Sequence, residues 1–431
     1  MCDAVSRGDL KTAYHRISDT NVLLGVTARC CPQLQGLCED ACVMRWDGQP
    51  ISIGMIQRFV ADWEQNSEHQ PDPDSTRESG KRVVIVGSGP SGLAAASLLR
   101  RYGHSVKIYE ELDYPGGTAF YGIPDYHLPK NILEYEISRI KQQGVEIKTG
   151  VKVGKDITLQ KILSEEADAV LVTTGPKDII KLNIPGIDSR RVYDCYGFLE
   201  TVYGQTLESY LKNPTIDLGR TTLVIGGGDT ALDGARTARR LSQGKVVIVY
   251  RRTENEMPAD PIMVEESKEE GVEFKFLTDP NQFIADSTGK LVSVKMSAMQ
   301  LGAPDQSGRR KPIPVPNQDF IMECDSVLMA VGRGPNSFLQ KQAGLKMGKK
   351  NSIAIDNQFK TSMTGVFAAG DVVTGETLVV KAMGAGREAA QRVHEFLMNL
   401  EDKHVSLYER YFVQRSFEKM EANDEGGLPP P

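Results

Sequence analysis

The sequence predicts an α/β protein with two Rossmann-like domains, the second inserted into the first, after a short N-terminal helical domain. Residues 83–110 and residues 223–252 repeat one plan, in which a β-branched run ends in a glycine turn, an Ala/Leu/Arg-rich helix follows, and a second β-branched run comes next. This plan is typical of a βαβ unit with two parallel strands. A third strand-and-helix signal, at residues 365–397, indicates that the first domain resumes after the second.

The bulk composition limits the classes of function. A length of 431 residues corresponds to roughly three domains. The formal net charge of -6 disfavours a nucleic-acid role, because phosphate binding needs a basic surface, although a local basic groove stays open. No window approaches a membrane span, and the N-terminus (MCDAVSRGDLK) has no apolar signal core. We therefore expect a cytoplasmic protein that binds neither nucleic acid nor membranes.

The N-terminal region is predicted to be helical over residues 1–64, because its apolar residues recur at spacings of three and four. The stretch ARCCPQLQGLCEDAC, at residues 28–42, interrupts this pattern with four cysteines. Residues 65–80 are polar and rich in Pro, Asp and Ser, which predicts a linker. The tail at residues 403–431 is charged and ends in Pro, so we expect fraying or disorder at its end.

The first glycine motif predicts a dinucleotide site. It follows a strand, opens a helix and has the GxGxxG form, with Gly87 for the tight turn, Gly89 for approach of the pyrophosphate and Gly92 for helix–strand packing. The helix N-terminus offers free N–H groups to the phosphates. Glu110 closes the second strand, where a carboxylate can accept hydrogen bonds from ribose hydroxyls. The predicted contacts are Gly87, Ser88, Gly89, Pro90, Ser91, Gly92 and Glu110.

The second glycine motif, at residues 226–231, has the GxGxxA form, but its second strand ends in arginines where the first has its acid. A carboxylate there would repel a 2′-phosphate, whereas two guanidinium groups can bind it in a bidentate manner. We predict that this domain prefers NADP(H), which leaves FAD for the first domain; two solvated surface arginines are the alternative. The predicted contacts are Gly226, Gly227, Gly228, Asp229, Thr230, Arg251 and Arg252.

The third signal is a short buried strand that ends in Gly370 and Asp371. An aspartate there can hydrogen-bond a ribityl hydroxyl of FAD, and the following helix can aim its N-terminus at the isoalloxazine carbonyl edge, which stabilises reduced, anionic flavin. We therefore predict an FAD domain in two segments, residues 81–190 and 323–402, around an NADP(H)-binding domain at residues 191–322.

The order of these motifs resembles the small (β) subunit of NADPH-dependent glutamate synthase and its relatives, which include the N-terminal electron-input region of dihydropyrimidine dehydrogenase. The resemblance is carried by VGSGPSGL, PGGTAFYGIPDYHLPK, IGGGDTALD, VYRRTENEMPA, VGRGPN and GVFAAGD, with CP-x5-C-x3-C at Cys31, Cys38 and Cys42. It covers nearly the whole chain to about residue 400.

The resemblance implies FAD, NADPH and iron–sulfur clusters as cofactors, and it adds Gly117, Thr118 and Gly175 to the expected flavin contacts. One departure lies beside the last of these, because Thr-Thr-Gly-Pro at residues 173–176 stands where the family usually has Ala-Thr-Gly-Ala. This is a small change in a loop over the flavin domain.

The cysteines leave the iron–sulfur prediction open. A [4Fe–4S] cluster takes four thiolates in most cases. The resemblance implies that Cys31 and Cys38 serve one cluster and Cys42 another, completed by an upstream cysteine run that this sequence does not show. Gln57 would add an oxygen ligand, as in the dihydropyrimidine dehydrogenase branch, and Cys30 could be recruited. One or more clusters, no cluster, and a zinc or redox-disulfide site all stay open as hypotheses.

We predict an FAD-containing, NADPH-dependent oxidoreductase that passes electrons to an iron–sulfur or protein acceptor, such as a ferredoxin-like protein or a glutamate synthase large subunit. Hydride transfer needs positioning and exclusion of water more than acid–base groups, so no catalytic acid or base is predicted. A thioredoxin-reductase-like disulfide enzyme would need a redox CxxC pair, which Cys195 lacks. A non-catalytic electron-transfer subunit, active only with a partner chain, is the other alternative.

Overall fold

The structure is a computed structural model that describes residues 1–400 except 33–36, 68–77, 181, 206, 243 and 306–307. Most of the predicted linker at residues 65–80 and all of the predicted tail at residues 403–431 lie outside the described residues. The described chain contains an N-terminal helical domain, two parallel sheets, one antiparallel sheet and a short two-stranded ribbon.

The N-terminal domain is helical in the region where the apolar spacing predicts helices. Its α-helices are Cys2–Ser6, Leu10–Ser18, Leu24–Cys30 and Ile53–Gln65, with a 3-10 turn at Val43–Asp47. Their apolar faces form a small separate core. This core contacts the first Rossmann-like domain at Glu136, whose carboxyl group is buried. Burial raises the pKa of Glu136 to about 8. Glu136 accepts hydrogen bonds from the N–H groups of Gly25 and Val26, at the start of a helix.

The first sheet has five parallel strands. In spatial order they are Val366–Ala368, Ala169–Val172, Arg82–Val86, Ser105–Tyr109 and Glu146–Lys148. The helices after its strands and beside it are Pro90–Arg101, Thr118–Tyr121, Lys130–Gln142, Leu159–Lys161, Asp371–Thr374 and Val379–Leu397. Strand Arg82–Val86 pairs with Ser105–Tyr109 on one side and with Ala169–Val172 on the other, and both of these strands follow it in the chain. The strand order reverses at this point, so the glycine turn after Arg82–Val86 lies at a topological switch point, where ligands bind in such sheets.

The second sheet repeats this arrangement. In spatial order its parallel strands are Val192–Asp194, Ser326–Met329, Thr221–Ile225, Lys245–Tyr250 and Glu273–Phe276. Its helices are Cys195–Tyr203, Leu207–Lys212, Asp229–Leu241 and Pro261–Glu269. Strand Ser326–Met329 pairs with Thr221–Ile225, so the second sheet extends past residue 322, where the predicted FAD segment begins. The difference arises because that strand is a buried apolar run that fits either sheet by pattern alone.

The fold also contains an antiparallel sheet, a two-stranded ribbon and one more helix. The antiparallel sheet consists of Thr278–Ala285, Leu291–Pro304 and Arg310–Glu323, and it shares a hydrophobic core with the second parallel sheet. The ribbon pairs Pro176–Ile179 with Arg333–Pro335, which are the two chain crossings between the Rossmann-like domains. The helix Ser337–Ala343 follows the second crossing. The ribbon therefore holds both crossings together beside the carboxyl ends of the sheets.

Candidate active site

One cavity of about 650 Å³ is lined by residues of both glycine motifs. The predicted site residues that line it are Gly87, Gly89, Pro90, Ser91, Glu110, Gly117, Thr118, Gly175, Gly228, Asp229, Thr230 and Asp371. Those that do not line it are Ser88, Gly92, Gly226, Gly227, Gly370, Arg251 and Arg252. The structure therefore brings the two predicted dinucleotide sites to one shared space.

The first glycine turn has the geometry that a pyrophosphate site requires. Gly87 has a φ of 102°, a conformation that side chains rarely adopt, and a Cβ there would lie 2.9 Å from the carbonyl oxygen of Thr173. A Cβ on Gly92 would lie 2.1 Å from the carbonyl oxygen of Gly87, so only glycine lets the helix pack this closely. By contrast, a Cβ on Gly89 would meet no atom within 4 Å, which leaves space for a ligand at the helix start.

The carboxylate of Glu110 is buried and held in one orientation. One of its oxygens accepts hydrogen bonds from the backbone N–H of Ser88 at 2.9 Å and from the Ser88 hydroxyl at 2.6 Å. The other oxygen accepts from the N–H of Leu112 at 3.0 Å. Glu110 also lines the cavity, so its unused lone pairs are available to the hydroxyl groups of a ribose. This placement fits the adenosine end of FAD.

The C-terminal segment closes the same side of the cavity. Asp371 follows the last strand of the first sheet and accepts a hydrogen bond from the Thr377 hydroxyl at 2.7 Å. Burial raises the pKa of this aspartate. The helix Val379–Leu397 begins at the cavity, where Val379 and Lys381 line the wall. The positive end of its helix dipole therefore lies at the cavity wall.

The second glycine turn supplies the opposite wall. Gly228, Asp229 and Thr230 line the cavity at the start of the helix Asp229–Leu241. A Cβ on Gly227 would lie 2.6 Å from the Tyr250 ring, so this glycine lets the turn pack against the neighbouring strand. The Oδ1 atom of Asp229 accepts the N–H of Asp260 at 3.0 Å. The turn thus offers helix N–H groups to a second dinucleotide.

The two arginines after the second strand lie in different environments. Arg251 is exposed. Arg252 is 5% exposed and forms an ion pair with Asp305 at 2.7 Å, and its Nε donates to the carbonyl oxygen of Arg310 at 2.7 Å. These partners belong to the antiparallel sheet and its turn, which the local sequence motif does not reveal. Of the pair predicted to bind a 2′-phosphate, only Arg251 presents an exposed side chain.

The cysteine stretch lies next to the cavity wall. The thiol of Cys31 is hydrogen-bonded to the backbone N–H of Val380, in the first turn of a helix whose neighbouring residues line the cavity. Burial is the main cause that raises the pKa of Cys31 to about 11; the Val380 N–H opposes this rise, and the nearby Cys38 adds to it. Cys38 is exposed and in turn lies near Cys42.

These cysteines do not form a complete metal site in the described part of the chain, where no group of three or more His, Cys, Asp or Glu side chains could hold a metal ion. Residues 33–36, within the stretch itself, lie outside that part. The residues described here therefore do not fit a whole [4Fe–4S] cluster.

The other cysteines have structural roles. Cys195 is fully buried, and its Sγ donates to the carbonyl oxygen of Thr230 at 3.3 Å. Cys324 is also buried, as expected for a small hydrophobic residue, and Cys2 belongs to the first helix. No disulfide bond joins the seven cysteines, all of which are among the residues that the structure describes. No cysteine is among the described residues that line the cavity, so these residues supply no thiol pair of the kind that a thioredoxin-reductase-like mechanism needs.

Sequence reasoning missed several side chains that line the cavity. Tyr196, Arg333 and Glu376 lie on the wall between the two glycine turns. Arg333 falls within the VGRGPN run that marks the family resemblance, so the sequence carried a signal for it. No motif pointed to Tyr196 or Glu376, because their place in the cavity depends on how the two domains are arranged.

Family models match most of the chain. Residues 81–386 match the model for pyridine nucleotide-disulphide oxidoreductases, and residues 1–69 match the model for dihydropyrimidine dehydrogenase domain II, 4Fe-4S cluster. In the part of the chain that the structure describes, every helix is too short or too polar to cross a lipid bilayer.

Individual relatives agree with these models. The putative oxidoreductase AegA of Escherichia coli is 35% identical over 403 residues, which cover 92% of this chain but only 61% of AegA. The NADPH glutamate synthase small chain of Azospirillum brasilense is 34% identical over 403 residues, which cover 91% of this chain and 82% of that protein.

A solved structure supports the fold. The His57Gln mutant of FprA from Mycobacterium tuberculosis superposes with a TM-score of 0.64 at 19% identity, covering 81% of this chain and 91% of that one. The predicted α/β architecture and the predicted family resemblance are both confirmed. The chain belongs to the pyridine nucleotide-disulphide oxidoreductase family, in the group of the glutamate synthase small chains.

Proposed function

We propose that this chain is an NADPH-dependent flavoprotein oxidoreductase that delivers electrons to a protein acceptor. The observation that carries the proposal is the single cavity lined by Gly87 and Gly89 on one side and by Gly228 and Thr230 on the other. A dinucleotide bound at each glycine turn would have its reactive ring in this shared space, as hydride transfer between two cofactors requires.

FAD is assigned to the first domain. The helix that begins at Pro90 offers its N–H groups to the pyrophosphate, and the space beside Gly89 admits it. Glu110 accepts hydrogen bonds from the ribose hydroxyl groups, since Ser88 already fixes the orientation of its carboxylate. Asp371 stands at the ribityl side. Together these residues supply the donors, the acceptors and the space that FAD would need.

NADPH is assigned to the second domain, with a reduced role for one predicted residue. Arg251 binds the 2′-phosphate, because its guanidinium group is exposed beside the strand end. Arg252 supports the strand end through Asp305 and is not assigned to the phosphate. The turn at Gly228 to Thr230 receives the pyrophosphate.

FAD, when bound, accepts a hydride from NADPH and gives up the two electrons again. The chain contributes orientation and electrostatics. The N-terminus of Val379–Leu397 stabilises negative charge at the flavin position, and the cavity walls restrict water. No side chain is assigned as a general acid or base, since hydride transfer needs none.

The acceptor side is assigned to the cysteine stretch. Cys31 contacts Val380, so this stretch is next to the helix that borders the flavin position. The relatives include chains named as subunits, such as the NADP⁺-dependent formate dehydrogenase subunit beta of Moorella thermoacetica and the glutamate synthase small chain. A ferredoxin-like protein or a large subunit is therefore the proposed acceptor class. The described cysteines do not complete a cluster, so the proposed electron transfer does not depend on one.

A dye assay on the isolated chain tests this function. Chain purified under anaerobic conditions and reconstituted with FAD is expected to reduce an artificial one-electron dye with NADPH and much more slowly with NADH. A flavin-loaded chain that reduces no dye with either nucleotide would contradict catalysis by this chain alone. An iron count on the same sample shows whether the cysteines hold a cluster.

A further inference from the structure

We propose that Tyr196 is a positioning residue for hydride transfer, which fixes the second domain against the flavin motif of the first. This inference rests on the proposed function and adds a residue that no glycine motif contains. Tyr196 does not need to touch the reacting atoms. It acts through the relative placement of the two dinucleotides in the shared cavity.

The first observation is a hydrogen bond across the domain boundary. Tyr196 lies in the first turn of the helix Cys195–Tyr203, which belongs to the second domain. Its hydroxyl donates to the Thr118 hydroxyl at 3.2 Å, and Thr118 belongs to the first domain. Both residues line the cavity. The bond therefore connects the nicotinamide side to the flavin side at the place where the two rings would meet.

The second observation is that the Tyr196 ring has a close neighbour in each of two other segments of the chain. Gly122 lies beside the ring, since an added Cβ there would come within 2.7 Å of the ring carbon Cε2. Arg333 lies over the ring, with its guanidinium carbon 4.2 Å from the ring centroid. A guanidinium at this distance is attracted to the ring face. Burial raises the pKa of Tyr196 to about 12, so the phenol keeps its proton at neutral pH.

The third observation is that Arg333 is itself fixed. Its side chain is 10% exposed and pairs with Asp194, which also accepts the N–H of Gly197 at 2.7 Å and so caps the helix that carries Tyr196. The Arg333 N–H donates to Glu376 at 3.0 Å, in the flavin-side segment. Arg333 also belongs to the ribbon that joins the two chain crossings. A continuous set of contacts thus runs from the ribbon through Arg333 and Tyr196 to the flavin motif.

One buried donor of Arg333 has no hydrogen-bond partner among the described residues. This donor is the Nε atom, and the side chain that carries it lines the cavity. A carbonyl group of a bound nucleotide would satisfy this donor. The ring of Tyr196 and the donor of Arg333 therefore act on the same region of the cavity.

The expected effect of disturbing Tyr196 follows from the geometry of hydride transfer. Displacement of the reacting atoms by about 1 Å can lower a rate on the order of 100-fold. Tyr196→Ala removes both the ring and the hydroxyl, so we expect the rate of flavin reduction at saturating NADPH to fall on the order of 100-fold. Tyr196→Phe keeps the ring but loses the hydrogen bond to Thr118, which contributes about 1 kcal/mol, so its rate should fall about fivefold.

The test uses the FAD-loaded full chain under anaerobic conditions. Stopped-flow absorbance gives the reduction rate, and titration with NADP⁺ gives a dissociation constant and a difference spectrum of the oxidised flavin without turnover. We expect Tyr196→Ala to weaken that difference spectrum while the dissociation constant changes by less than about threefold, since the 2′-phosphate contact is intact. Tyr193→Phe is the matched control, because it removes a nearby phenol hydroxyl that contacts Asp217 and lies outside the cavity.

A wild-type rate and spectrum in Tyr196→Ala, with FAD bound, would overturn the inference. If Tyr196→Ala loses FAD, the variants Tyr196→Phe and Arg333→Gln provide the test, since each keeps an aromatic ring at position 196. Wild-type rates and spectra in both variants would also overturn the inference. If NADPH does not reduce the FAD that is bound to the wild-type chain, that result would instead contradict the proposed function. The two failures are therefore distinct.

Discussion

Arg252 forms an ion pair with Asp305 at 2.7 Å, and its neighbour Arg251 remains exposed. Two consecutive arginines that share one motif thus have different tasks. The buried arginine attaches the strand end to the antiparallel sheet, which is where Asp305 and Arg310 are found. The exposed arginine is the one available to a nucleotide phosphate.

Replacing Arg251 should change nucleotide preference. A hydrogen bond to a charged group contributes about 1.5–3 kcal/mol, so Arg251→Gln should raise the KM for NADPH by about 10–100-fold and leave the KM for NADH nearly unchanged. Steady-state dye reduction with each nucleotide measures this. Arg252→Gln is the comparison, and it should lower the free energy of unfolding by about 2 kcal/mol with a smaller effect on the KM. The reverse pattern would reassign the phosphate to Arg252.

Two glycines of the first turn should respond differently to alanine. Gly92→Ala places a Cβ 2.1 Å from the carbonyl oxygen of Gly87, so the helix must move and FAD should be lost together with thermal stability. Gly89→Ala meets no atom within 4 Å, so the fold should survive while FAD binds more weakly. FAD content and melting temperature of both variants separate these effects. Equal melting temperatures would argue against the close packing at Gly92.

Glu110 should govern FAD retention. Glu110→Gln removes the charge that Ser88 and the ribose hydroxyls share, so we expect FAD affinity to fall by about 10-fold or more. Reconstitution of the apoprotein with FAD, followed by flavin fluorescence, gives the dissociation constant. Asp168→Asn is a suitable control, because Asp168 is a carboxylate of the same domain that bonds to Arg82 away from the cavity. An unchanged FAD affinity in Glu110→Gln would contradict the ribose assignment.

A pH-dependent contact is expected between the two Rossmann-like domains. The hydrogen bond with Asp233 raises the pKa of His127 above 6.5, against the effects of burial and Arg236, and Glu266 adds to the rise. A raised folded-state pKa means that protonated His127 stabilises the fold below its unfolded pKa, and this stability is lost as pH rises through the folded value.

The variant His127→Gln should therefore lower the free energy of unfolding on the order of 1 kcal/mol at pH 6 and less at pH 8. Urea unfolding of both proteins across this range measures the difference. Curves that stay parallel from pH 6 to pH 8 would exclude a contribution from His127 titration.

The local motifs predicted the structural features that depend on residues close together in the sequence. Both βαβ units follow from β-branched runs, glycine turns and helix-forming stretches that lie within about 30 residues of each other. The tight turn at Gly87 and the close packing at Gly92 follow from the same motif, and the structure has both. The predicted fold class and family are confirmed for this reason.

Long-range contacts were not predictable from those motifs. Arg252 pairs with Asp305, which lies 53 positions later in the chain. Tyr196 reaches Thr118 across 78 positions, and Cys31 reaches Val380 from the far end of the chain. Such contacts depend on how domains pack, and neither periodicity nor spacing encodes that packing in one sequence. The binding roles of the individual site residues stay predictions.

The most direct test of the central claim is an anaerobic titration of the FAD-loaded chain with NADPH. If both dinucleotides meet in the shared cavity, stoichiometric NADPH should bleach the flavin absorbance near its visible maximum, and Arg251→Gln should need far more NADPH to do so. A flavin that binds at Glu110 yet stays oxidised in excess NADPH would contradict the account.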